Sequence, residues 1–173
     1  EDKAILKWLQ LYRTPEWTSS AWLLLDRNPT LFAKALGIDM GKSTPTLVRG
    51  LSAFLAKVDE ATAAVKNSVR RPRPYVTDAN VVPCLPRESG FSFPSGHASW
   101  YKAASLLLAD LIPSRRERLL EVGMQGGVNR TICGVHYASD VLAGQNLGQA
   151  AAEQIIASPQ WQQFRADPGL QKE

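Results

Sequence analysis

Apolar positions recur at helical spacings along most of the chain, and no stretch shows the strict alternation of a half-buried strand. The clearest run starts at Pro45, where Leu47, Leu51, Phe54, Leu55, Val58, Ala61, Thr62 and Val65 follow at intervals of mostly three and four. One stripe of a 3.6-residue helix accounts for that spacing. Pro72 and Pro74 disfavour helical geometry in the residues before them, so the spacing predicts a long helix that ends near Arg70 or Arg71.

Before this run, Trp8, Leu9, Leu11, Trp17, Trp22, Leu23, Leu24, Leu25, Leu31 and Phe32 are broken by Pro15 and Pro29, which predicts short helices covering a core. After it, Tyr75 to Phe93 is irregular, with Pro83, Pro86 and Gly90; a long loop in a compact domain is more often functional than idle. "PSGHASWYKAASLLLADLIP" then predicts a helix with Ser95 near its N-cap and a stop at Pro113. "SRRE" at 114–117 has capping-box spacing and predicts the start of another helix through Leu119, Leu120 and Val122. Past Gly126 and Gly127, "SDVLAGQNLGQAAAEQII" predicts a last long helix, whose Ala143, Gly144, Gly148 and Ala151 would let a neighbouring helix approach closely. The fold class is therefore all-α: a compact single-domain helical bundle over residues 1–173, without internal repeats.

Composition narrows the function classes. With 45% apolar and 21% charged residues the chain lies in the ordinary globular range. The net charge of +4 suits an anionic partner, but Lys and Arg are dispersed and not interleaved with aromatics, which argues against nucleic acid. No apolar run reaches the length of a membrane span; the best, "ASLLLADLIP", is interrupted by Asp110. No basic-then-apolar leader opens the chain, so the expectation is an intracellular protein or a mature form whose leader has gone. Two cysteines, Cys84 and Cys133, are too few for a disulfide framework or a four-Cys zinc site, and leave either one bridge or two buried thiols.

The chemistry centres on the only two histidines, His97 in "PSGH" and His136 in "NRTICGVHYASD". Either one alone is compatible with a hydrogen-bonded, packed residue. A metal site would need a third His, a CxxC or an HxxxH, and none is present. A phosphate pocket suits the company these histidines keep. Arg73 and Arg130 offer planar donor forks, Lys66 lies about two helical turns before Arg73, and Ser95 and Gly96 stand at a helix start where free N–H groups favour an anion. In such a pocket one histidine attacks phosphorus and the other protonates the leaving alcohol. His136 has Asp140 four residues on to fix its tautomer, so it takes the nucleophile role; His97, at the anion-binding helix start, takes that of acid and later base. Asp140 alone would equally suit a helix N-terminal acid.

The three segments "KNSVRRPRP" (66–74), "PSGH" (94–97) and "NRTICGVHYASD" (129–140) resemble, in order, the three-part signature of the phosphatidic acid phosphatase type 2 superfamily, which includes vanadium haloperoxidases and bacterial class A non-specific acid phosphatases. "RTPEW", "ALGIDMGKSTPTLVR" and "ICGVHYASDVLAG" are most similar to the class A group. The resemblance implies an acid phosphatase: all-helical, metal-independent, without a cofactor, periplasmic or secreted, often homo-oligomeric, and acting on many phosphomonoesters at acidic pH. It gives Lys66, Arg73, Ser95, Gly96 and Arg130 to phosphate, His97 to acid catalysis, His136 to nucleophilic attack and Asp140 to orienting His136. Vanadate would inhibit by occupying the same pocket as phosphate. Asn129 stands where the family usually has Ser, a departure that bears on how Arg130 is held. Kinship with a periplasmic group also suggests a Cys84–Cys133 disulfide. Two other functions share the motif: a vanadate-dependent haloperoxidase, and a phosphate-binding domain without catalysis. The length falls short of six-span lipid phosphatases and of haloperoxidases, and the presence of both histidines with Asp140 speaks against an inactive relative.

Overall fold

A computed structural model describes residues 1–173 as helices and connecting loops, with no strand, so the all-α architecture expected from periodicity is the one observed. In chain order the helices are α1 (Asp2–Tyr12), α2 (Pro15–Leu23), a 3-10 turn (Pro29–Phe32), α3 (Ala33–Leu36), α4 (Met40–Ser43), α5 (Pro45–Val69), α6 (Pro74–Thr77), α7 (Gly96–Leu111), α8 (Arg116–Ile132), α9 (Ala138–Ala157) and α10 (Pro159–Arg165). None is long and apolar enough to cross a membrane.

α5 buries Leu47, Leu51, Leu55, Val58 and Thr62, the stripe that its sequence spacing predicts, while Ala61 lies off the stripe and is exposed. It ends at Val69. Arg70 follows in left-handed geometry (φ 52°, ψ 35°) and its N–H bonds back to the Lys66 carbonyl, turning the chain just before Pro72.

α7 is the central helix: eleven of its sixteen residues are buried, which requires neighbours on nearly every side. α5, α8 and α9 supply them. The small residues of α9 serve close approach, because a Cβ on Gly144 would lie 2.5 Å from the Ser95 carbonyl oxygen and one on Gly148 would lie 2.2 Å from that of Ser99. On the α8 side, a Cβ on Gly126 would sit 2.2 Å from the Tyr101 ring. These contacts seat the start of α7 directly against α9. Asp110, the acid that interrupts the apolar run of α7, accepts the indole N–H of buried Trp161 at 2.8 Å.

Two expectations are corrected. Ser114 does not cap a helix: Pro113 opens a 3-10 turn through Arg115, so Ser114 falls inside that turn, and α8 begins at Arg116 without a side-chain cap. The N-terminal apolar residues do not all cover the core. α1 buries only Leu6 and α2 only Ala21, while Trp8, Leu11, Trp22 and Leu23 remain at least half exposed, because these two short flanking helices each turn one narrow stripe inward.

The irregular stretch after α6 is fastened to the end of α8. Cys84 and Cys133 form a disulfide, and the Cys84 N–H donates to the Cys133 carbonyl at 3.0 Å.

Candidate active site

Helix ends bring the charged residues together. Lys66 is in the last turn of α5, Arg73 immediately precedes α6, Ser95 caps α7, Gly96 and His97 open it, and Arg130 is in the last turn of α8. His136 lies in the short connection from α8 to α9, and Asp140 is in the first turn of α9. All eight residues singled out from sequence therefore converge on the N-terminal end of α7.

The cations are held by the protein's own acceptors. Lys66 Nζ donates to the Phe91 carbonyl at 2.6 Å. Arg73 spends its whole fork locally: Nε on the Gly90 carbonyl at 2.8 Å, Nη1 on the Val135 carbonyl at 3.1 Å, and Nη2 on Glu88 Oε2 at 2.7 Å. Arg130 Nη2 donates to the Leu24 carbonyl. Burial, followed by repulsion from Arg73, lowers the Lys66 amine to about 8, and burial lowers Arg130 to about 10; both remain cationic at neutral pH. Ser95 Oγ accepts the Ala98 N–H at 3.3 Å, which satisfies the helix start and leaves its own O–H free to donate.

The two faces of the His136 ring are distinct. Nε2 is 3.2 Å from Arg73 Nη1, and Nδ1 is 3.5 Å from Asp140 Oδ2. A guanidinium can only donate, so Nε2 must be the accepting nitrogen with its lone pair toward the cationic pocket, and the ring proton stays on Nδ1 facing the carboxylate. Burial lowers the His136 pKa to about 4 against the opposing hydrogen bond with Asp140, which keeps the ring neutral at neutral pH. His97 Nε2 lies 2.7 Å from the Leu25 carbonyl, an acceptor, and therefore carries its proton there. Burial and then the Arg130 charge lower the His97 pKa to about 2 in the absence of a bound anion.

Asp140 is fully buried and fully bonded. Oδ1 accepts from Arg71 Nη1 at 2.7 Å; Oδ2 accepts from the Tyr137 N–H at 2.9 Å and from the Ser92 hydroxyl. Burial would raise its pKa, but the bonds from His136, Ser92 and Tyr137 outweigh burial and hold the carboxyl below its ordinary value. Sequence alone did not single out Ser92, which also stands 3.4 Å from His136 Nδ1, nor Arg71, whose guanidinium lies 3.9 Å above the Tyr137 ring and pairs with Asp2. Their one signal is adjacency: Arg71 sits inside the basic run and Ser92 just ahead of "PSGH". Asn129 has a structural part to play. Its Nδ2 donates to the Ser20 carbonyl at 3.1 Å, tying α8 to α2 just before the segment that meets Arg130 and His97. Among the aromatic residues near these segments, Phe91 is exposed and its carbonyl meets Lys66, Tyr75 is buried with its hydroxyl on the Glu88 backbone, and Trp100 is in the core. No group of three or more His, Cys, Asp or Glu side chains is gathered as a metal ion would require.

The helical bundle thus brings two histidines, three cations and a capped helix start together at one point. The chain belongs to the PAP2 superfamily, whose family model matches residues 47–164. It is 29% identical over 177 residues to a non-specific acid phosphatase of Salmonella typhimurium, covering 96% of this chain and 70% of that protein. It is 30% identical over 165 residues to an acid phosphatase of Zymomonas mobilis, covering 88% of this chain and 61% of that one. A crystal structure of a transmembrane PAP2-type phosphatidylglycerolphosphate phosphatase from Bacillus subtilis shares the fold, with a TM-score of 0.64 at 23% identity over 89% of this chain and 82% of that one.

Proposed function

We propose that this phosphomonoester hydrolase works through a phosphohistidine at His136, without a metal, on a broad range of phosphomonoesters. The observation that carries the reading is the orientation of His136, whose Nε2 lone pair faces Arg73 while Nδ1 is backed by buried Asp140.

Lys66, Arg73, Arg130, Ser95 and the N–H groups at Gly96 hold the substrate's phosphoryl oxygens, which take over donors now spent on the carbonyls of Phe91, Gly90 and Leu24. The Nε2 lone pair forms a bond to phosphorus as the bond from phosphorus to the alcohol oxygen breaks. His97 gives its proton to the departing oxygen. Asp140 stabilises the positive charge that then resides on the His136 ring. In the second half, His97 takes a proton from water, the oxygen bonds to phosphorus, the P–N bond breaks, and inorganic phosphate leaves with His136 neutral again. A bound dianion opposes the burial that keeps His97 neutral, so substrate itself charges the acid, and low pH assists. The disulfide supports an oxidising compartment, periplasmic or secreted.

Hydrolysis of p-nitrophenyl phosphate by wild type and by His136→Ala, each with and without a chelator, tests the reading. Wild-type turnover indifferent to chelator and absent in His136→Ala is expected. Full activity in His136→Ala removes the nucleophile, and loss with chelator removes the metal-free mechanism.

A further inference from the structure

One cation at this site belongs to none of the three motifs. After α2 the segment Leu24–Arg27 crosses the site and is pinned through its carbonyls: Leu24 by Arg130, Leu25 by His97, and Asp26 by the Tyr101 hydroxyl at 2.6 Å. Arg27 then turns back toward the start of α7. A Cβ on Gly96 would lie 3.6 Å from Arg27 Nη1 and 3.9 Å from Lys66 Cε, so the two cations flank the same glycine. Gly96 directly precedes His97, and the Leu25 carbonyl that meets His97 Nε2 is two residues before Arg27, so Arg27 is a neighbour of the proposed acid.

Its environment differs from that of the inner cations. The Arg73 and Arg130 residues are 3% and 1% exposed, whereas the side chains of Arg27 and its ion-pair partner Asp59 are 40% and 39% exposed. Asp59 takes only Nη1, and Arg27 makes no other side-chain hydrogen bond, so Nε and Nη2 remain free to donate. A partly exposed ion pair is weakly held and is readily exchanged for an incoming anion. A guanidinium meets phosphate with two parallel donors. Three cations already face the transferred dianion, and a fourth at the exit suits a different negative group.

We infer that Arg27 is a specificity-determining residue that binds a second phosphoryl group carried by the leaving portion of the substrate, so that doubly phosphorylated compounds bind better than phosphomonoesters of uncharged alcohols. The inference rests on the phosphatase reading for the orientation of the substrate, with the transferred phosphoryl group inside and the alcohol toward Arg27. Asp59 is a positioning residue that orients the guanidinium from α5, seven residues before Lys66.

Calorimetric titration with methylphosphonate and with methylenebisphosphonate tests it, since neither is hydrolysed and binding is read without catalysis. In wild type the bisphosphonate should bind about tenfold or more tighter, and in Arg27→Gln the ratio of the two dissociation constants should collapse to within about threefold, with Arg27→Lys in between. A wild-type ratio near one, or a ratio unchanged in Arg27→Gln, overturns the inference. Thermal melting of both variants checks folding. Turnover of p-nitrophenyl phosphate is measured separately: its absence in wild type defeats the phosphatase reading, whereas normal turnover with no bisphosphonate preference defeats only the role of Arg27.

Discussion

Arg73 Nη1 stands 3.2 Å from His136 Nε2, so a cation that can only donate occupies the lone pair of a buried neutral imidazole. The contact fixes which nitrogen faces the pocket before any ligand arrives. On the proposed phosphohistidine mechanism Arg73 is then both an oxyanion donor and a guide for the nucleophile. Arg73→Lys keeps the charge but loses the fork that spans Gly90, Val135 and Glu88. A loss in kcat/KM on the order of 100-fold is expected in steady-state assays, with the fold intact by circular dichroism.

Asp140→Asn replaces the carboxylate that accepts from Arg71, Ser92 and the Tyr137 N–H and backs His136 Nδ1. Without that negative charge the tautomer and the developing imidazolium lose support. A drop in kcat of roughly 10²- to 10⁴-fold is expected. Ser92→Ala removes one bond to the same carboxylate and should cost less than Asp140→Asn.

Stability should depend on pH in a direction set by the histidines. His136 has a folded pKa of about 4, below its unfolded value of 6.5, so the unfolded chain binds more protons in that interval. Stability is therefore full above about 6.5 and falls as the pH drops toward 4. His97, lowered to about 2, acts in the same direction. For His136 alone the loss from pH 7 to pH 5 is about 2 kcal/mol, or roughly 5 °C in Tm. Scanning calorimetry in a non-binding buffer should record it, and saturating inorganic phosphate should reduce it.

The disulfide spans a sequence separation of 49 residues and secures the loop that carries Glu88 to Phe91. Chain-entropy reasoning gives about 4 kcal/mol for a loop of that size. Adding a reductant, or making the double variant Cys84→Ser with Cys133→Ser, should lower Tm by roughly 10 °C. Weaker phosphate binding should accompany it, because Glu88 on that loop orients the Arg73 guanidinium through Nη2.

Gly144→Ala would put a methyl 2.5 Å from the Ser95 carbonyl oxygen, which is backbone and cannot swing aside. About 1–3 kcal/mol of stability should be lost, and α7 must move away from α9. Because that shift displaces Ser95, Gly96 and His97 together, activity should fall further than denaturant titration of stability alone would suggest.

The motif residues could be picked out because three different short segments stand in the order of a family signature, and α5 was legible because Leu47, Leu51, Leu55 and Val58 keep a helical period that Pro72 brings to an end. The supports were not. Leu24 and Leu25 meet Arg130 and His97 through backbone carbonyls, which every residue possesses, across 106 and 72 positions of sequence. Ser92 reaches Asp140 across 48 positions. Trp22 and Leu23 look like core on composition, yet a short flanking helix buries one stripe and exposes the rest. Ser114 shows the limit of local patterns, since Pro113, three residues before α8 begins, decides where the turn starts.

Trapping the phosphoenzyme addresses the central claim most directly. In His97→Ala, a substrate with a good leaving group such as p-nitrophenyl phosphate needs little acid assistance to phosphorylate the enzyme, whereas the water that resolves the intermediate has lost its base. Quenching in alkali, where phosphohistidine survives, followed by peptide mass spectrometry should find stoichiometric phosphate on the peptide bearing His136, and on its imidazole. Phosphate on any other residue, or continued turnover with no phosphohistidine in His97→Ala, would contradict the account.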